Sequence, residues 1–389
     1  MTHPYRLNEQ DARLAEAAAE VARDVLAPNA ADVDQKARFP EESLQALRRQ
    51  GLLGLCVQTA LGGEGAGMRA FAAVAEELAT SCASTAMIYV MHVTGAQAIA
   101  SSSTLKDRDL VLKRVAVGDH LTTLAFSERG SRSQFWSPVS QLAAVNGHWE
   151  TSAEKSWVTA AAHADSYVAS GLKPDAAGPL ESTVYFVRRQ ASGVKPAGRF
   201  DGLGLRGNDS APVAFEDLEV SEGDLISPQG EGAGTMLQVV LPWFSIGTAA
   251  MANGLCRSAV ALTTAHLTGS GFRHTGTQLR DLPNLRARLA EMSMKTEQSR
   301  ALLGHTLDHI LEASPAAPLF VLQARLAALE AALQVTDLAM KACGGAAFSR
   351  HLGLERVFRD ARAGWVMAPT ADHLYEFTGR ALTGLPLFA

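Results

Sequence analysis

Apolar residues recur at helical spacing over residues 8–26, at Leu14, Ala18, Val21 and Val25. This predicts an amphipathic helix capped by Asn8, with Pro28 beyond its end. A second helix is expected over 40–51. Pro40 has no N–H to leave unpaired in a first turn, and Gly51 can take the left-handed conformation that closes a helix. Helical spacing returns at about 68–80, 85–101 and 106–117, so residues 1–120 read as an all-helical N-terminal domain.

The pattern then changes. Residues 122–127, 141–145, 167–170, 183–187 and 212–215 form short β-type runs separated by Gly, Pro, Asn and Asp. Asn146-Gly147 is a hairpin signal, because both residues tolerate positive φ. These runs predict a middle antiparallel β domain over 121–232. Long helical patterns resume at about 235–268, 281–313, 316–343 and 370–382, making 233–389 a C-terminal helical bundle. Residues 317–341 are rich in Ala and Leu with few charges, as suits a helix buried on several sides or held in a subunit interface. The fold class is therefore α+β, in the unusual order helices, β domain, helices.

Composition narrows the chemistry. With 47% hydrophobic residues the 389-residue chain can bury a sizeable core unaided. The net charge is −5 and no basic cluster stands out, which speaks against nucleic acid as a partner. Cys56, Cys82, Cys256 and Cys343 lie far apart, with no metal-binding spacing, and fit a reducing cytoplasm. No unbroken apolar run approaches the roughly 20 residues that would cross a bilayer, and no targeting segment is read at the N-terminus.

Several segments, in order along the chain, resemble the acyl-CoA dehydrogenase family. Ala125-Phe126-Ser127-Glu128-Arg129-Gly130-Ser131-Arg132-Ser133 resembles its A-L-T-E-P-G-A-G-S segment, and Lys155-Ser156-Trp157-Val158-Thr159 its K-x-W-I-T. Gly204-Leu205-Arg206-Gly207-Asn208-Asp209-Ser210 and Phe215-Glu216-Asp217-Leu218 resemble G-x-R-G-S-D-T and F-E-D-V. Phe39-Pro40 with Gly62-Gly63-Glu64-Gly65 upstream, and Gly344-Gly345, Glu355-Arg356 and Arg359-Asp360-Ala361 downstream, complete a match spanning nearly the whole chain. The glycines at 62–65 are followed by no Gly-Lys-Ser/Thr and read as a plain turn rather than a phosphate loop.

The resemblance implies a flavoprotein oxidoreductase that oxidises the α,β bond of an acyl-CoA thioester, with FAD, or FMN as the alternative, between the β domain and the last helices. An isoalloxazine needs a flat wall and donors where charge accumulates on reduction. The family's pattern puts Trp157 against the ring, Thr159, beside Val158, toward N5, and Phe126 and Ser127 along the pyrimidine edge. Gly344 and Gly345 would approach the pyrophosphate, with Arg273 and Thr370 at the adenosine end. Ser133, Phe244, Met367 and Arg380 would face substrate. Taken singly these residues have plain readings: Trp157 and Phe126 as core, Gly344-Gly345 as a helix end, Ser133 as a loop polar group, Arg380 as a cation at a helix terminus. His92, on an apolar helix, reads as a satisfied core residue.

The chain departs from the pattern at its base. Ala368, in Met367-Ala368-Pro369-Thr370, stands where the family has the Glu of Y-E-G-T, and Ala cannot take a proton. The alternative family position, on the first C-terminal helix, falls in Leu241-Pro242-Trp243-Phe244-Ser245 and again lacks a carboxylate. Asp372 or Glu376, one and two helical turns beyond Ala368, could serve as a relocated base, although each also reads as an ordinary exposed carboxylate. A flavin monooxygenase that hydroxylates N or S and needs no such base, and a non-catalytic or partner-dependent subunit, are the competing accounts. Lys341 and Pro283 replace family Gln residues, and Asp372 the Gln of T-x-Q, so weak flavin retention is expected. A homo-oligomer, tetramer or dimer, and an electron acceptor or flavin reductase as partner follow from the same resemblance.

Overall fold

A computed structural model describes residues 3–387. Helix α1 (Glu9–Val21) begins as expected, with the Asn8 side chain accepting from the Asp11 N–H at 2.8 Å. It does not stop at Pro28. A π turn over Ala22–Leu26 carries the chain into α2 (Ala27–Lys36), where Pro28 falls in the opening turn and its missing N–H costs little. Helix α3 (Glu41–Arg49) follows Pro40 and ends at Gly51, whose φ is +70°. Then come α4 (Met68–Ser81), α5 (Ala83–Ala100) and α6 (Arg108–Ala116). Helix α5 is buried along nearly its whole length, which explains why its apolar residues show no stripe.

The β region forms two sheets. One orders β1 (Thr122–Ala125), β4 (Ser166–Leu172) and β5 (Ser182–Arg188); the other orders β2 (Ala143–Val145), β3 (His148–Val158), β7 (Ala211–Val220) and β6 (Val194–Pro196), with β3 and β7 adjacent. Asn146 and Gly147, both at positive φ, turn β2 into β3 as their sequence implied. One pairing departs from the antiparallel expectation, since β1 runs parallel to β4 with Thr122 opposite Ser166. The connection between them includes the β2–β3 hairpin and is long enough for the crossover that a parallel pair requires.

The C-terminal region comprises α7 (Gly232–Thr235), a π turn over Met236–Val240, α8 (Leu241–Gly269), α9 (Pro283–Leu311), α10 (Ala317–Cys343), α11 (Gly345–Phe348), α12 (Leu354–Val366) and α13 (Ala371–Leu382). Helix α10 lies at the centre, with α8, α9, α12 and α13 packed on it, and α4 packs across α8 to join the two helical regions. The continuous helix Gly232–Gly269 and α10 are, by length and mean composition, apolar enough to cross a membrane, unlike the expectation from unbroken runs. Their most apolar windows are 78% and 61% buried inside the protein, so core packing accounts for the composition.

Candidate active site

Strand β3 presents its residues alternately until a bulge between Lys155 and Val158, opposite Val213 and Ala211. Trp157 sits in that bulge at φ +57°, so Lys155 and Val158 both point inward while Trp157 stands 69% exposed. A bulky residue at positive φ is strained, and such strain collects where a side chain must be aimed. The segment after β1 runs alongside: the Ser156 N–H donates to the Ser127 carbonyl at 2.8 Å, and the Arg129 N–H to the Glu154 carbonyl at 3.1 Å. The 125–133 and 155–159 segments thus form one continuous wall.

That wall bounds a cavity of about 1270 Å³. Phe126, Ser127, Ser133, Trp157 and Thr159 line it from the β side, and Met87 and Met91 of α5, Phe244 of α8, and Met367 and Ala368 after α12 close it. The buried Thr159 hydroxyl pairs with that of Ser210 at 3.0 Å. Phe126 stacks at 6.2 Å on Phe135, and Trp157 meets Phe200 edge-on at 6.5 Å. The cavity exceeds the roughly 300–1,000 Å³ of a site for one drug-sized ligand, leaving room for a ring system and a second molecule.

Of the carboxylates, Glu128 and Glu154 line the cavity. Glu128 is buried and bonded to the Lys155 ammonium, and accepts from the Val139 N–H at 2.7 Å, the Ser140 N–H at 2.8 Å and the Ser140 hydroxyl at 2.5 Å. Burial alone would raise its pKa, but Lys155 and the Ser140 donors outweigh burial and hold the carboxyl below its usual range. Glu154 pairs at 3.3 Å with Arg129 on the exposed rim. Both acids are therefore engaged.

Other residues singled out in the sequence lie elsewhere. Val158 is in the β core rather than on the cavity wall. Asp372 and Glu376 of α13 are exposed and outside the lining, and Glu376 approaches Arg380 at 3.3 Å. Arg380 also donates to the Pro386 carbonyl at 2.6 Å, away from the cavity. Thr370 caps α13, its side chain accepting from the His373 N–H. Gly344 closes α10 at φ +56°, a conformation that favours glycine, with open space around it and Gly345, and Arg273 sits in an exposed loop. His92 is fully buried: Nδ1 accepts from the Thr122 N–H at 3.1 Å and Nε2 lies 3.0 Å from the Leu53 carbonyl. Burial lowers its pKa to about 4, so it is a neutral structural residue. Phe200, Met87 and Met91 were not anticipated; nothing in their local spacing distinguishes a cavity wall from core.

These residues suit the isoalloxazine half of a flavin, for which Trp157 gives an open aromatic surface and the Phe126–Ser127 segment a polar edge. The adenosine half finds no such match within this chain's cavity, since Arg273, Gly344, Gly345 and Thr370 lie outside it.

A helical–β–helical chain whose central cavity is built this way defines a fold shared with known flavoproteins. Residues 8–119 match the family model for the N-terminal domain of acyl-CoA dehydrogenases and residues 230–382 that for the C-terminal domain, so the chain belongs to the acyl-CoA dehydrogenase family. It is similar to cyclohex-1-ene-1-carbonyl-CoA dehydrogenase of Geobacter metallireducens, 26% identical over 365 residues, covering 93% of this chain and 95% of that one. The structure of butyryl-CoA dehydrogenase from Megasphaera elsdenii superposes with a TM-score of 0.91 at 21% identity, covering 97% of this chain and 99% of that one. The FAD complex of PigA does so with a TM-score of 0.90 at 18% identity, covering 97% and 98%.

Proposed function

We propose that the protein oxidises an acyl-CoA or related acyl thioester with a flavin, FAD in the first instance, held in the central cavity. The observation that carries this reading is the meeting of the Phe126 and Trp157 segments on one wall of a cavity large enough for a flavin and a substrate. A flavin held there would supply the oxidising power, as the acceptor of the substrate's hydride. The chain's own residues orient and shield the reactants. Trp157 and Phe126 give the ring a flat boundary, the Thr159–Ser210 hydroxyl pair sets a polar point beside it, and Met91, Phe244 and Met367 exclude water from the acyl group.

The carboxylate that usually removes the α proton is replaced by Ala368 on the cavity wall, so proton removal here does not use a side chain at that position. The exposed Phe348, Leu382 and Leu385 at the C-terminal helices favour a homo-oligomer, tetramer or dimer, and free cysteines suit a cytoplasmic setting. Anaerobic addition of acyl-CoAs of increasing chain length to flavin-loaded protein tests the reading. Bleaching of the flavin's visible absorbance is the expected result. Product formed only with a flavin reductase and oxygen would instead establish the monooxygenase, and no reduction under either condition a non-catalytic subunit.

A further inference from the structure

Arg325, on α10, is fully buried and among the largest side chains so enclosed. It has no ion-pair partner among the described residues. One guanidinium nitrogen, Nη2, donates to the Met367 carbonyl at 3.1 Å, while Nε and Nη1 have no acceptor among the described residues. The guanidinium carbon lies 4.8 Å from the centre of the Phe244 ring. Phe244 and Met367 both line the cavity, so Arg325 stands one side chain behind its wall. The acids of the lining cannot neutralise it, because Glu128 is committed to Lys155 and Glu154 to Arg129. A guanidinium stays charged, and an uncompensated buried charge is among the costliest features a fold can hold. The counter-charge must come from outside the fold, and the cavity is the opening that adjoins it.

We propose that Arg325 recognises a carboxylate at the tip of the acyl group, making the substrate class a dicarboxylic acyl thioester. This rests on the cavity being the acyl-thioester site. A carboxylate matches the planar donors in shape and charge, as a water molecule does not. The wall between is adaptable: Met367 is an unbranched side chain with several rotatable bonds, and Ala368 beside it leaves space that a longer residue would fill. A carboxylate that displaces the Phe244 ring or the Met367 side chain reaches the free Nε and Nη1 donors.

Two ligand pairs test this, each differing in one charge. In the flavin-loaded wild type, glutaryl-CoA is expected to bind at least about tenfold tighter than valeryl-CoA, as one charge-assisted hydrogen bond would give. Free valerate should raise the melting temperature more than valeramide at equal concentration. In Arg325→Met, both preferences should shrink to within about twofold. Equal binding within both pairs in the wild type, or preferences that survive in Arg325→Met, would overturn the assignment, and the wild-type comparison does not depend on the variant folding. Preference for valerate with no binding of either thioester would keep the anion site and overturn the thioester reading. Binding of both thioesters without preference would do the reverse.

Discussion

The Ser156 N–H lies 2.8 Å from the Ser127 carbonyl, and that backbone bond, with the Arg129 N–H on the Glu154 carbonyl at 3.1 Å, joins the two segments on which the functional reading stands. Between them in sequence lie a loop and a hairpin, yet the bond and the adjoining Glu128–Lys155 pair set them edge to edge. Trp157, one residue beyond the bond, is turned outward by its bulge and so becomes a surface of the cavity rather than part of the β core.

Trp157→Ala should therefore separate binding from stability. The side chain is 69% exposed, so unfolding in urea should change by no more than about 0.5 kcal/mol. Flavin affinity, read by fluorescence quenching on titration, should fall about fivefold, the ~1 kcal/mol typical of a lost aromatic contact. Unchanged affinity would mean that the ring does not rest on Trp157.

Lys155→Met should behave in the opposite way. It leaves Glu128 buried without its ammonium partner, and removal of one member of such a pair costs about 3–5 kcal/mol. Urea unfolding of Lys155→Met, Glu128→Gln and the double variant would measure the coupling. The double variant should be more stable than Lys155→Met alone, because no unpaired buried charge remains.

The order of elements was legible in the sequence because helical spacing and β alternation are local signals. Asn8, Gly51 and Asn146-Gly147 acted as their chemistry implied. What escaped was set by distant contacts. The chain passes Pro28 because a π turn precedes it, and β1 pairs in parallel with a strand some forty residues on. The motifs single out Phe126 and Trp157, which line the cavity, whereas nothing local singles out Met87, Met91 and Phe200 on the same wall, since a cavity wall and a core differ only in what lies opposite. Arg325 lies inside the Ala-rich stretch 317–341, and spacing alone does not show that its cation is buried without an acidic partner among the described residues.

Phe348 offers a test of assembly. It is 85% exposed on α11, an unusual state for a large apolar side chain. If it lies in a subunit interface, Phe348→Glu should shift the sedimentation profile toward the monomer while circular dichroism stays unchanged. A wild-type monomer would remove the oligomer from the functional reading.

Asp372 and Glu376 lie outside the cavity lining, Asp372 exposed and Glu376 beside Arg380. Asp372→Asn and Glu376→Gln are accordingly expected to leave the rate of flavin reduction by substrate within about twofold of wild type. A loss of tenfold or more, about 1.4 kcal/mol in the barrier, would show that α13 turns inward and brings a carboxylate to the substrate.

Asp360 links the cavity to stability through pH. It is buried behind Arg359, a lining residue, and accepts from the Leu205 N–H at 2.7 Å. Burial, partly offset by that bond, pushes its carboxyl up to about 6 from 3.8. Between those values the folded chain holds a proton that the unfolded chain releases. The contribution is thus fully present below the unfolded value and lost as pH rises through about 6. Asp360→Asn keeps an acceptor for Leu205 and removes the titration. Relative to wild type, its unfolding free energy should rise between about pH 4 and pH 8 by roughly 2.5 kcal/mol, at about 1.4 kcal/mol per tenfold change in proton affinity. His92, lowered to about 4, pulls the opposite way, its contribution being lost as pH falls, but it is common to both proteins and cancels in the difference. A difference that stays flat with pH would mean that Asp360 is ionised in the folded protein at both ends of the range.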